Sequence, residues 1–109
     1  MTDRAVYKWP VAVDDRPHKI GGGQVIHVGC QDPLDVDRVT VWTVEQRQGP
    51  VPKRTVQIFA TGQPLPFDAE PLGTALALGG RLVWHLFSLT HAGTMNTNQR
   101  EQADDQETR

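Results

Sequence analysis

The chain has 109 residues, a hydrophobic share of 38%, one cysteine and a formal net charge of -2. That length suits one domain with a modest core. The acidic balance lies at the end: Arg100 and Arg109 face Glu101, Asp104, Asp105 and Glu107, whereas residues 1–89 carry nine basic and nine acidic side chains. A neutral body argues against unspecific nucleic-acid binding, which needs a basic face. A lone Cys30 excludes an intrachain disulfide framework and fits a reducing compartment. No apolar stretch approaches the roughly 20 residues of a spanning helix, and none follows a basic start as a signal peptide does. The expectation is a cytoplasmic protein with no membrane partner.

In chain order, the first candidate strand is Ala5–Trp9, which Pro10 limits or places at a sheet edge. Asp14-Asp15-Arg16-Pro17 reads as a turn. His18-Lys19-Ile20 runs into Gly21-Gly22-Gly23, a triplet read as a hairpin corner because glycine accepts positive φ. From Gln24 to Gln31 the residues alternate, with Ile26, Val28 and Cys30 on the face suited to a core and Val25, His27 and Gly29 on the other. Asp32-Pro33-Leu34-Asp35 is a loop.

Arg38–Glu45 is the clearest strand, dense in β-branched and aromatic residues. Apolar groups fall on both of its faces, which suits a central position. Lys53–Thr61 follows as a strand, and Gly62-Gln63-Pro64-Leu65-Pro66 must leave the sheet because its prolines cannot serve a central ladder. That loop is expected to run to Pro71. Leu72–Leu78 is ambiguous between strand and helical turns: Ala and Leu favour helix, while shortness and flanking glycines favour strand. Gly79-Gly80 signals a hairpin into Leu82–Phe87, a strand expected to be buried on both faces.

No segment keeps a 3.6-residue apolar period, and Gly and Pro together number 18 and fall between the apolar runs. The fold class predicted is all-β: an antiparallel sandwich or small barrel of six to seven strands over residues 1–89. Residues 90–109 form a polar acidic tail in which only Ala92, Met95 and Ala103 are apolar, so disorder is expected there.

The chemistry-bearing residues do not form a recognised catalytic or metal pattern. His18, His27, His85 and His91 match no ligand spacing, and Cys30 has no partner cysteine. His85 reads as a half-buried strand histidine. The glycine triplet leads into a strand, so it is no phosphate loop. Asp32, Asp35 and Asp37 lack the register of a calcium loop. Ser88, the only serine, lies in no Gly-x-Ser-x-Gly elbow. Neither enzyme activity nor a metal or other cofactor is expected.

Trp9, Trp42 and Trp84 lie on three strands and must partly build the core. If Trp9 or Trp42 faces solvent, it is a candidate anchor for a ligand or partner. In the strand pattern Arg38, Lys53 and Arg54 sit near Trp42 and supply a polar rim, a pairing that binding hot spots favour. The candidate binding residues are therefore Trp9, Trp42, Arg38, Arg54 and His85.

Several phrases are similar to a family of small proteins encoded by tailed bacteriophages and prophages. They are Tyr7-Lys8, Gly22-Gly23-Gln24-Val25-Ile26, Ile58-Phe59-Ala60-Thr61-Gly62-Gln63-Pro64-Leu65-Pro66, Leu72-Gly73-Thr74, and Gly79-Gly80 before Leu82-Val83-Trp84-His85-Leu86-Phe87. The similarity spans most of residues 5–87, and the tail is an addition. It implies a viral accessory origin, with an actinobacterial host suggested by residue usage, and brings no activity. The expected function is a non-enzymatic binding module acting on a host protein or small ligand in the host cytoplasm. The alternative is a structural or assembly protein, such as a minor virion component or a homo-oligomeric β-module. The third class, an enzyme whose acids and histidines converge in space, has no recognised spacing behind it.

Overall fold

The computed structural model describes residues 3–32, 34 and 36–90. His91, the polar tail beyond Thr90, and Pro33 and Asp35 of the acidic loop lie outside the described residues. Seven strands form the body: β1 Arg4–Ala12, β2 His18–Gly21, β3 Gln24–Gly29, β4 Arg38–Gln46, β5 Lys53–Ala60, β6 Glu70–Ala77 and β7 Leu82–Ser88. They make two antiparallel sheets, β1-β4-β3 (sheet A) and β2-β5-β7-β6 (sheet B). The expected all-β fold is the observed one. Among the described residues no helix is long and apolar enough to cross a membrane.

The core is the space between the sheets. Val11, Val28, Val39 and Val41 fill it from sheet A; Ile20, Val56, Ile58, Ala75 and Leu86 fill it from sheet B. Branched side chains at alternate positions explain both the strand conformation and the burial. Strand β4 is central, as its two apolar faces predict. Its odd-numbered residues Val39, Val41, Thr43 and Glu45 are all buried.

β1 runs unbroken through Pro10, in register with β4 from Arg4↔Gln46 to Ala12↔Arg38. It can do so because β1 is an edge strand, where the missing N–H costs no ladder bond. The ambiguous Leu72 segment is strand: β6 pairs with β7 through Ala77, and Leu78–Gly80 makes a tight 3-10 turn. Gly79 and Gly80 take φ of 65° and 90°, so they do form a hairpin corner. The loop before β6 ends two residues earlier than expected, since Glu70 and Pro71 already belong to that edge strand.

Three local expectations are corrected. The alternation of β3 breaks at a bulge between Val25 and His27. The extra residue turns Ile26 outward, 49% exposed, while Val25 and Val28 both pack on the core. The glycine triplet is not a hairpin turn. It joins β2 of one sheet to β3 of the other, and the positive-φ glycines among the described residues are Gly49, Gly62, Gly79 and Gly80. Gly21 and Gly23 instead lack side chains for want of room, as the corner geometry shows. The last strand is also less enclosed than expected: only Leu86 of β7 is fully buried, and its neighbours are half-buried.

Candidate functional site

Strands β5 and β6 both lie antiparallel to β7, one on each side. They are therefore parallel to each other, and their connection must cross β7. β5 ends at Ala60 opposite Trp84, whereas β6 begins at Glu70 opposite Ser88. Residues 61–69 thus run back across the outer face of sheet B as a strap. Their placement there explains why Phe59, which points away from the core, is only 4% exposed.

The strap is held at both ends. Gln63 donates its N–H to the Ala60 carbonyl at 3.1 Å, and its side-chain oxygen accepts the Ala60 N–H at 3.0 Å. Gly62, at φ 88°, supplies the left-handed step that lets the chain reverse. Further on, the Ala69 N–H bonds to the Pro66 carbonyl at 3.1 Å, closing a turn whose central residues are Phe67 and Asp68. Pro64 and Pro66 fix two φ angles between these closures.

Beneath the strap lies a cleft of about 200 Å³ bordered by Phe59, Thr61, Gln63, Leu65, His85 and Phe87. Phe59 and Phe87 meet edge to face with centroids 5.7 Å apart. His85 stands opposite Phe59 on one side and Thr74 on the other. Its Nε2 lies 2.7 Å from Thr61 Oγ1 and its Nδ1 3.1 Å from Thr74 Oγ1. A neutral imidazole has one donor and one acceptor nitrogen, so both are engaged. His85 thereby pins the strap to β6. Further along the strap, Phe67 projects from the turn with 98% of its surface exposed.

A second constellation lies where the sheets part, around the glycine corner. Glu45 is 3% exposed, and its Oε2 accepts the Thr43 hydroxyl at 2.6 Å. Trp9 Nε1 donates to the same Thr43 oxygen at 2.8 Å. Gly23 N–H donates to both carboxylate oxygens, at 3.0 Å to Oε2 and 3.2 Å to Oε1. On the far side, Arg54 Nη2 donates to the Gly22 carbonyl at 3.2 Å. One peptide unit, Gly22–Gly23, therefore turns its N–H toward a carboxylate of sheet A and its carbonyl toward a guanidinium of sheet B. A Cβ on Gly23 would collide with the Val44 carbonyl oxygen, and one on Gly21 with Glu45 and Trp9.

The five residues singled out from the sequence fall in three places. Trp42 lies on the outer face of sheet A, its ring 5.2 Å from that of His27, with exposed Arg38 at the start of the same strand. Trp9 and Arg54 both border the glycine corner. His85 lies on the opposite outer face. Lys53 and Arg54 belong to the other sheet from Trp42, and Lys53 Nζ sits 4.8 Å above the Trp9 ring instead. Phe67 and Glu45 escaped the sequence reading. For Phe67 the available signal was an aromatic residue directly after Pro-Leu-Pro in a loop. For Glu45 it was parity, since the acid shares its face with Val39, Val41 and Thr43.

The fold is a small two-sheet antiparallel β domain whose outer face on one sheet is crossed by the strap. The chain belongs to the family described as Domain of unknown function (DUF7352), whose profile matches residues 2–97. No curated protein and no solved structure matches it.

Proposed function

We propose that this domain is a non-enzymatic binding module that engages a host protein or small ligand through the strap and the cleft beneath it. The observation that carries this reading is Phe67: a ring 98% exposed on a loop closed at both ends. Leaving an aromatic ring in water forgoes about 2 kcal/mol of burial, and a pre-ordered loop loses little entropy when the ring is covered. An accessory role in the host cytoplasm is part of the same proposal and rests on the resemblance of residues 5–87 to phage-encoded proteins.

The test is quantitative capture from host lysate with the full chain and its Phe67→Ser variant. A discrete partner should be retained by the parent chain and weakened roughly 30-fold by the substitution, as for a hot-spot aromatic. Equal capture by both proteins would refute the reading. A Trp42→Ala variant, altered on the opposite sheet, should bind as the parent does.

The assembly reading is favoured by a different surface. The outer face of sheet A carries Val6 at 58% and Ile26 at 49% exposure beside the Trp42–His27 pair. If copies associate through that face, sedimentation should show a dimer or larger species that Trp42→Ala dissociates. A strict monomer would remove this reading.

A further inference from the structure

We propose that the segment Glu101–Asp105 of this chain docks as an added strand on the open edge of β1, its two flanking acids paired with Arg4 and Lys8. The argument runs from the ladder of β1 to its charges and then to the reach of the chain.

β1 is an edge strand whose ladder is formed with β4. At its two ends the Asp3 carbonyl accepts the Arg47 N–H at 2.9 Å, and the Val13 N–H donates to the Asp37 carbonyl at 2.8 Å. Backbone direction alternates along an antiparallel strand. Odd-numbered residues of β1 therefore turn their N–H and C=O groups toward β4, and even-numbered residues turn theirs to the open side. Pro10 belongs to the outward set and has no N–H to offer, so the stretch fit to receive a strand is Arg4–Lys8. Among the described residues no other strand pairs with this edge, and Arg4, Val6 and Lys8 are all exposed.

The side chains of Arg4, Val6 and Lys8 share the outer face of sheet A, opposite Gln46, Val44 and Trp42. They read cation, apolar, cation. The ion pairs among the described residues, Asp14–His18 and Asp3–Arg47, use neither cation. A strand added here is favoured by the order acid, apolar, acid at alternate positions, since directly opposed side chains interact. Two copies joined edge to edge about Val6 would set Arg4 of each against Lys8 of the other, and like charges directly opposite are destabilising. The edge thus rejects its own copy and selects an acidic strand.

Glu101-Gln102-Ala103-Asp104-Asp105 carries that order in Glu101, Ala103 and Asp105. Aligned antiparallel to β1, Asp105 meets Arg4, Ala103 meets Val6 and Glu101 meets Lys8. The chain also leaves the body on the correct side. Leu89 donates its N–H to the Thr55 carbonyl at 2.9 Å, and Lys53, two residues before Thr55, sets Nζ 4.8 Å from the ring centre of Trp9 in β1. Residues 90–100 can span roughly 35 Å, enough to bring the segment to the edge. Glu, Ala and Asp are weak strand formers, so the ladder and the two charge pairs must hold the segment in place. Docked there, it closes the edge to other extended chains.

Amide hydrogen exchange of the full chain, read by NMR, tests this. The Arg4, Val6 and Lys8 amides should exchange about tenfold more slowly in the parent than in a Glu101→Lys/Asp105→Lys variant. The Ala12 amide, outward-facing but beyond Pro10, should exchange alike in both. Added salt should speed the three edge amides of the parent toward the rates of the variant. Combining the reversed segment with Arg4→Glu/Lys8→Glu should restore the protection, because the charges again complement each other. Tenfold dilution should leave the protection unchanged, as an intramolecular contact requires. Equal exchange of the three amides in parent and reversed variant would overturn the proposal. So would failure of the doubly reversed chain to regain protection. Protection that fades on dilution would give the edge to a second copy and overturn it as well.

Discussion

The glycine corner at residues 21–23 and the strap at residues 61–69 both depend on glycine, for opposite reasons. In the corner, glycine makes space: a side chain at Gly21 or Gly23 would occupy the volume of Glu45, Trp9 or the Val44 carbonyl. In the strap, Gly62 has nothing within 4 Å of a would-be Cβ, but its φ is 88°. One region is constrained by its neighbours and the other by its own backbone. The corner ties the two sheets together through a peptide held between opposite charges. The strap lies outside the core and presents a ring to solvent.

That contrast is most readily broken at Gly23. Gly23→Ala drives a methyl into backbone, which cannot swing aside, so unfolding free energy should fall by about 3 kcal/mol or more. For a domain of this size the thermal midpoint should drop by roughly 12 °C or more. Chemical denaturation followed by tryptophan fluorescence measures this well, since Trp9 is bonded into the same network. A loss below about 1 kcal/mol would mean that the corner has room the geometry denies it.

At Gly62 the same substitution meets open space and pays only for the left-handed conformation. Gly62→Ala should cost about 1 kcal/mol. The more telling comparison is Gly62→Asn, which tolerates this region better and should recover part of the loss. Asn placed at Gly23 should recover nothing, because the obstacle there is volume. Parallel melts of the four variants separate the two roles of glycine.

The same distinction shows what the sequence could and could not convey. Strands β4, β5 and β7 are legible because short runs rich in β-branched and aromatic residues, bounded by Gly and Pro, are a local signal of extended chain. The Gly79-Gly80 hairpin is legible because its cause, positive φ, is also local. The corner is not: a glycine triplet before a strand reads the same whether it reverses within one sheet or passes to another. Only the long-range approach of Glu45 and Pro52 decides between them, with the Gly22 N–H bonded to the Pro52 carbonyl at 2.7 Å. The bulge at Ile26 is likewise set by pairing with β4, and it inverts the face assignment of half a strand. The grouping of Lys53 and Arg54 with Trp42 failed for a related reason. Sequence neighbours on successive strands need not share a sheet. Phe67 stayed hidden because apolar composition alone does not separate a ring tucked beneath its loop from one standing clear of it.

The smallest expected effect concerns the two ends of β2, where carboxylates meet very different surroundings. At its exit Glu45 is enclosed between the sheets, whereas before its entry Asp14 sits at the surface, 2.7 Å from His18 Nε2. The side-chain hydrogen bond with His18 holds the Asp14 carboxyl below its ordinary value of 3.8, helped by the Arg16 N–H at 3.1 Å. A depressed carboxylate value means that any stabilisation is fully present above pH 3.8 and is lost as the pH falls through the lowered folded value. Solvent screening keeps that stabilisation small, so the melting curve should barely respond. The carboxyl resonance should respond clearly. In an NMR titration Asp14 should reach its midpoint below 3.8, and His18→Ala should move it back toward that value. An Asp14 midpoint unchanged by removal of His18 would show that the contact is not populated in solution. The surface end of β2 would then be looser than the buried end by more than the difference in burial implies.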